Sequence, residues 1–464
     1  MKMKNFCIVG ILLSLCVTLI GCPLPATNAL FDVGEMVGNI SSSSANVFVQ
    51  VGNLVTPTYE FKMGYDSVSH TTVRNYPFET FTQSSAAIGD KITFTIVGGL
   101  NANARYYYAI AYRASPQVAW VWRPEQSFYT TRTVGSTFRF CVVSDAHGAG
   151  TYQEQNIKGK ISKNIQTDKP DFIMTLGDTL PLSLQGCGNP VVCSTAYMGA
   201  VAEEYGAYAT QQYKTLAYFL SPVAASSLLI WVNGNHEGLA GYLQGCPHYS
   251  GILTARKKFI PLLNADEPNG FFGDLVWGDM HIIWIDPLAF TTIDPYILND
   301  PKAYALGIVQ KTWLENTLAT STSKFKFIFS HTLFGGAGPN FPCTPGGSYA
   351  RGNANFVNTP GTDQIYIQSL MKTYGVQAFC YGHDHTYSIS ELDRIKYITV
   401  GSMYPSYWST CLDPYYAPWS TINQVGHLRV DVGTDKIEIR YIKAALDTSN
   451  GTVLDTQEIG QRSN

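Results

Sequence analysis

The sequence predicts an all-β sandwich followed by a larger α/β domain. Three observations carry this. Period-2 strand patterns are confined to the stretch before Thr133. Buried apolar runs then alternate with helical segments. Polar residues bunch where those later runs end. A length of 464 residues exceeds the roughly 100–200 typical of one domain. Apolar residues make up 45%, which supplies a core and excludes wholesale disorder. Charged residues reach only 14%, against about 25% in an average soluble protein. A net charge of -3 gives no basic excess to draw the chain onto nucleic acid. With 29 Tyr and 41 Gly, the composition suits an extracytoplasmic protein.

Taken in order, Lys2 and Lys4 precede an uncharged apolar run over 6–20. That run is shorter than the ~20 residues a spanning helix needs, so it reads as a secretory signal over 1–21. It ends Leu19-Ile20-Gly21-Cys22, which resembles the lipobox of bacterial lipoproteins. The resemblance implies acylation of Cys22 and an extracytoplasmic protein held to the membrane through its lipid alone. Of the ten cysteines, Cys141 and Cys380 sit in apolar strand-like runs and read as buried small hydrophobes. Cys187, Cys193, Cys246, Cys343 and Cys411 fall in Gly/Pro-rich loops, where an oxidising compartment permits bridges.

Residues 22–133 carry the alternating segments 45–51, 91–97 and 105–110, separated by Gly, Pro, Asn and Ser clusters, as in a sandwich. The stretch from Gly99-Leu100 through Arg105-Tyr106-Tyr107-Tyr108 to Ser127-Phe128-Tyr129 resembles the late strands of a fibronectin type III domain. No acid/base or ligand cluster occurs there, and the lone His70 reads as a surface residue. In 134–464 the buried-strand candidates are 138–144, 172–176, 228–232, 281–286, 325–330, 376–381 and 397–400. Helical patterns fill 152–165, 200–220, 309–319 and 363–374. Ligands in open α/β sheets bind beyond the carboxyl ends of such strands.

Five motifs stand at those ends: Asp145-Ala146-His147, Gly177-Asp178, Gly234-Asn235-His236-Glu237, His331, and Gly382-His383-Asp384-His385. Carboxylate, imidazole and amide oxygen without thiolate suit divalent Mn, Fe or Zn. In each x-spaced pair, residues i and i+2 of an extended segment would project to one side. Seven ligands exceed one tetrahedral shell and suit two ions, which can clamp a phosphoryl group and acidify a water. Any one of these motifs is more often turn chemistry; five in order, each after an apolar run, point to metal.

This ordered set resembles that of the calcineurin-like metallophosphoesterases over 138–441, and the preceding sandwich resembles the N-terminal domain of purple acid phosphatases. The resemblance implies a catalytic domain of mixed sheets flanked by helices, in four α/β/β/α layers. It implies one metal on Asp145, His147 and His385, another on Asn235, His331 and His383, and Asp178 bridging both. His236 matches the family's catalytic histidine, a general acid for the leaving oxygen. Glu237 either orients His236 and its loop or is a helix-start carboxylate, and Asp384 points away from the metals. Aromatic loops over 238–250, 335–358 and 402–420 would shape the pocket. Arg351 is a candidate phosphate contact, although a solvated loop arginine is the commoner case. His248 and Tyr249 are candidates to reach the pocket, whereas His281 and His427 read as structural.

The function implied is hydrolysis of a small phosphomonoester outside the cytoplasm. The alternatives are a phosphodiesterase or nucleotidase with the same metal site, and a catalytically silent surface-binding lipoprotein. An inactive binder would have no chemical need for all seven ligands plus His236. Purple acid phosphatases carry Asp-x-Gly in the first motif and a ferric-ligating tyrosine three residues after the bridging aspartate; here those positions are His147 and Pro181. The metal-loaded protein is therefore expected to be free of purple colour. A strong visible tyrosinate–iron band in its absorption spectrum would contradict this.

Overall fold

The computed structural model describes residues 31–461 apart from 53–58, 83–90, 149, 181–194, 238–247, 261–270, 292–304, 333–361 and 405–419. The chain opens with β1 (Phe31–Gly38), β2 (Ala45–Val51), β3 (Glu60–Asp66), β4 (Phe78–Thr82), β5 (Lys91–Ile96), β6 (Arg105–Arg113), β7 (Val121–Trp122) and β8 (Gln126–Tyr129). It continues through β9 (Phe138–Val143), α1 (Tyr152–Asp168), β10 (Phe172–Thr175), α2 (Thr195–Ala224), β11 (Leu228–Trp231) and α3 (His248–Phe259). Next come β12 (Gly273–Trp277), β13 (Met280–Trp284), α4 (Gly307–Thr320), β14 (Phe325–Ser330), α5 (Asp363–Thr373) and β15 (Ala378–Tyr381). The last strands are β16 (Tyr387–Leu392), β17 (Ile395–Thr399), β18 (Ser420–Ile422), β19 (Gly426–Val432), β20 (Lys436–Lys443) and β21 (Val453–Gly460). Each buried-strand candidate and helical pattern read in 134–464 corresponds to one of these elements, whereas the apolar run over 6–20 lies outside the described residues.

The strands form mixed sheets. One has the order β21-β20-β19-β9-β10-β11-β1-β2-β5 and another the order β12-β13-β14-β15-β17-β16-β18. Strands β9, β10 and β11 run parallel, as do β13, β14, β15 and β17. Their side chains divide by parity, since successive residues face opposite sides. Phe140, Val142, Phe172, Met174, Leu228 and Ile230 share one buried cluster with Ile282, Trp284, Phe327, Phe329 and Cys380 of the other sheet. Cys141, Val143, Ile173 and Leu229 instead join Ile157, Ile161 and Ile165 of α1 and Tyr213, Leu216 and Leu220 of α2. Ile283, Ile328 and Phe379 likewise meet Leu314, Leu318, Ile367 and Met371 of α4 and α5. Strands covered on both faces read as near-continuous apolar runs, which is why 138–144 and 325–330, each with one internal charge, at Arg139 and Lys326, stand out in the sequence. Cys141 and Cys380 are buried free thiols.

The sandwich expected over 22–133 is not a unit closed on itself among the described residues. Strands β3, β4, β6, β7 and β8 make their own small sheet, but β1, β2 and β5 extend the sheet of the α/β region. β1 pairs in parallel with β11, Val37 opposite Leu228, and antiparallel with β2. The physical reason is the burial of β1 on both faces. Phe31 and Val37 face the inter-sheet cluster, while Val33 and Met36 face the helical one. Glu35 of β1 is buried against Arg123, whose Nη2 donates to Oε2 at 3.0 Å, and Tyr108 Oη donates to the Ala225 carbonyl at 2.7 Å. The first contact joins β1 to the segment between β7 and β8, and the second ties β6 to the end of α2. His70 is partly buried, with Nε2 2.7 Å from Asp66 Oδ2.

Among the described residues no helix is long and apolar enough to cross a membrane. Because one sheet crosses the 133/134 boundary, the chain is expected to melt in a single calorimetric transition. Two resolved transitions would show that the N-terminal strands fold independently.

Candidate metal centre

The two sheets meet at their carboxyl ends. Ser144, just past β9, bridges to Ser402, just past β17, and Met403 N donates to the Ser144 carbonyl at 2.9 Å. Five strands of the two sheets deliver their terminal loops to this junction. They are β9 with Asp145 and His147, β10 with Asp178, β11 with Asn235 and His236, β14 with His331, and β15 with His383 and His385.

The donor atoms gather in two groups. In the first, His147 Nε2 lies 2.9 Å from His385 Nε2, with Asp145 Oδ1 3.4 Å from His385 Nε2 and 3.8 Å from His147 Nε2. In the second, His331 Nε2 lies 2.9 Å from Asn235 Oδ1 and 3.2 Å from His383 Nδ1. Asp178 belongs to both: Oδ1 is 3.2 Å from His331 Nε2, while Oδ2 is 3.9 Å from His147 Nε2. Ligands about 2.0–2.2 Å from a Zn-like ion sit roughly 3–3.5 Å from one another, so most of these spacings fit a metal shell. The lone pairs support the same conclusion. The Leu180 carbonyl is 3.3 Å from His147 Nδ1 and the Leu176 carbonyl 2.7 Å from His331 Nδ1. A carbonyl only accepts, so each Nδ1 carries a proton; a neutral ring then turns a bare Nε2 inward, and His331, whose charge the carboxylates favour, would give up its Nε2 proton to a bound metal.

Burial by itself would raise both carboxylates, yet the surrounding imidazoles hold Asp178 well below the usual range and Asp145 below it. Burial and the charge of His385 push His147 down to about 3. Burial also opposes the charge on His331, but Asp178 and Asp145 hold it up at about 9. Ionised carboxylates amid buried imidazoles form a donor set suited to cations.

The loops reach this geometry through a backbone the sequence reading did not anticipate. Asp145, His147, Asp178, His383 and His385 have φ of 52°, 45°, 53°, 70° and 61°. The i, i+2 pairs therefore converge through left-handed turns and not along an extended segment. Interloop bonds hold these turns. Asp145 N donates to Gly177 O at 3.0 Å, His147 N to Asp178 O at 2.9 Å, and Gly382 N to His331 O at 2.9 Å. Ser402 Oγ donates to Asp145 O at 2.7 Å, and His383 N to Asp145 Oδ2 at 3.0 Å. A Cβ on Gly382 would collide with Ser144 and the Asp145 carboxylate, so only glycine allows that approach.

His236 stands beside both groups. Its Nδ1 is 2.9 Å from the Leu180 carbonyl and its Nε2 3.7 Å from Asp178 Oδ2. Glu237 is wholly buried and accepts from three backbone N–H groups. Burial and the Asp178 charge raise its carboxyl. Asp384, between the two histidines, is buried. His281 bonds Asp274 and Ser321, away from the centre. His427 belongs to another metal-type group, with Cys141 and Asp168. There Nε2 lies 2.8 Å from Asp168 Oδ2, and Arg429 Nη1 reaches Oδ1 at 3.1 Å. Burial and Asp168 raise the Cys141 thiol far above its ordinary range, and both Asp168 oxygens are already engaged by His427 and Arg429. Cys22, Cys187, Cys193, Cys246, Cys343, Cys411 and Arg351 lie outside the described residues, as do the side chains of His248 and Tyr249, although His248 opens α3.

Sequence reasoning missed several contributors. The Leu180 carbonyl has no side-chain signature. Lys158 is wholly buried on α1, where its Nζ donates to the Gly148 carbonyl and lies 5.4 Å from the Tyr404 ring; burial pushes it down to about 7. Tyr404 in turn faces His147 at 6.1 Å between ring centroids. A lysine beside the apolar Ile157, Ile161 and Ile165 stripe was the available signal.

No curated protein matches the chain. Among solved structures, PhoD aligns over 94% of this chain and 92% of its own, at 13% identity and a TM-score of 0.67, a likeness of fold. GAP50, the anchor in the inner membrane complex of Plasmodium, aligns over 70% of this chain and 90% of its own, at 17% identity and a TM-score of 0.42. The family model for calcineurin-like phosphoesterases matches residues 138–387, a span that contains every donor described above. The chain thus belongs to the calcineurin-like phosphoesterase family.

Proposed function

We propose that this protein is a phosphomonoesterase that works with two metal ions. One would be held by Asp145, His147 and His385, the other by Asn235, His331 and His383, and Asp178 would be shared. The observation that carries the reading is the division of Asp178, with Oδ1 turned to His331 and Oδ2 to His147. Borderline ions of the Fe, Mn or Zn kind fit a set of imidazole, carboxylate and amide oxygen. When bound, such a pair supplies positive charge to the phosphoryl oxygens and makes water a better nucleophile at neutral pH.

The remaining steps belong to side chains of the protein. His236 donates Nδ1–H to Leu180 O, so the proton it exchanges with substrate sits on Nε2, the atom facing Asp178. The protonated ring would meet a phosphate oxygen and pass its Nε2 proton to the leaving oxygen, a contribution of about 10²–10⁴ in rate. Tyr404 beside His147 offers a wall for the leaving group. The low net charge is no obstacle: the proposed ligands contribute two carboxylates against two cations, leaving the local field positive and suited to phosphate. We further propose that the mature chain is anchored at Cys22 outside the cytoplasm, where it releases phosphate from small external esters.

The test is a hydrolysis panel of aryl phosphate, bis-aryl phosphate and nucleotides in Mn, Zn and Fe. Aryl phosphate should turn over fastest. Faster cleavage of the diester or a nucleotide would replace the monoester reading, and no turnover with any metal would end the enzyme reading. Asp178→Asn should lower metal content and cut turnover at least ~100-fold. His236→Ala should keep its metals while turnover falls about 10²–10⁴-fold; loss of metal would give that residue a different role. Cys22→Ala should move the protein from the membrane to the soluble fraction, and unchanged partitioning would remove the anchor.

A further inference from the structure

The Glu237 carboxylate lies beneath the centre without joining either donor group. It sits in the short turn Asn235–Glu237 after β11 and is wholly buried. Oε2 accepts from Asp178 N at 2.9 Å and from Gly234 N at 2.5 Å, and Oε1 accepts from Thr179 N at 2.5 Å. The β11 loop in turn donates His236 N to Asp178 Oδ1 at 2.8 Å. Four hydrogen bonds thus lie around Asp178, Thr179, Gly234, His236 and Glu237, and three of them run between the two loops. The backbones touch as well, since a Cβ on Gly177 would collide with Gly234 and one on Gly234 with Asp178. A buried carboxylate also needs compensating charge. Arg256 of α3 is fully buried, 4.4 Å from the Phe271 ring and 5.7 Å from the ring of Trp231, which ends β11, so a cation packs against the strand that leads into the Glu237 turn.

We propose that Glu237, backed by Arg256, is the positioning residue that fixes the direction of the two Asp178 oxygens relative to Asn235 and His236. It touches neither metal nor substrate. Three backbone donors leave its carboxylate no free geometry, and moving it would swing Asp178 between the donor groups. The proposal rests on the two-metal reading, because its effect is on how one carboxylate is shared.

The experiment loads the chelated full-length protein with Mn(II) and records metal binding and the electron paramagnetic resonance spectrum. Wild type should take up two ions and give the spectrum of an exchange-coupled pair. Glu237→Gln keeps the shape but turns an amide N–H₂ toward a backbone N–H. It should retain a cooperative melt, bind Mn about 10–100-fold more weakly, and give the six-line spectrum of isolated ions. Arg256→Met should shift both readouts in the same direction by a smaller factor. Wild-type affinity and coupling in Glu237→Gln would overturn the proposal. If that variant does not fold, Arg256→Met decides alone, and a wild-type spectrum there overturns it. An uncoupled spectrum or a single ion in wild type would instead defeat the two-metal reading, and this inference with it.

Discussion

A single carboxylate that faces two groups of side chains constrains the rest of the molecule. Asp178 ends β10, with β9 on one side and β11 on the other. Its two oxygens can face His147 and His331 together only if loops from both sheets arrive at the same height. That requires the carboxyl ends of the parallel strands in the two sheets to meet, which the Ser144 to Ser402 bridge accomplishes. The shared apolar cluster between the sheets, with Phe140 packed edge-on to Phe329 at 6.2 Å, sets their separation. The helices occupy the outer faces and leave the junction free.

The loops are costly to hold. Left-handed backbone at a residue with a Cβ costs on the order of 1–3 kcal/mol. Five of the ten such residues among the described ones are Asp145, His147, Asp178, His383 and His385. Concentration at the donors ties the strain to the site and not to the turns in general. Charge convergence adds to it, since buried imidazoles and carboxylates crowd within hydrogen-bond distance. Interloop backbone bonds, the glycine at 382 and the Leu180 carbonyl offset these costs by giving every loop one allowed position. A site fixed in this way presents its donors without reorganisation, which favours rate as well as binding.

Much of this was legible in the residues. Asp145, Asp178, His331 and His383 each follow an apolar run, and buried parallel strands announce themselves by near-continuous hydrophobicity. The seven candidate ligands could be named because their chemistry resides in side chains. What stayed hidden was carried by the main chain. The left-handed turns have no composition signal when Asp and His occupy them. The Leu180 carbonyl belongs to a residue whose side chain says nothing of its role, and Glu237 reads equally well as a helix-start acid until its three donors are seen. The placement of β1 was hidden for a different reason. Nothing in the segment 31–38 names its neighbours, and its parallel partner β11 lies far along the chain.

The insertion of β1 between β11 and β2 also bears on how the chain folds in time. Val37 pairs with Leu228, and β9 gains its other neighbour only from β19, with Val142 opposite Leu428. The large sheet thus draws on nearly the whole length of the chain, and its early strands wait for partners that are synthesised much later. Loop-closure entropy must be met before such distant pairs form, so topologies of this kind fold slowly and expose unpaired edges meanwhile. Among the described strands the hazard falls on the earliest: β1 presents an open edge, a template for aggregation, until β11 arrives to cover it.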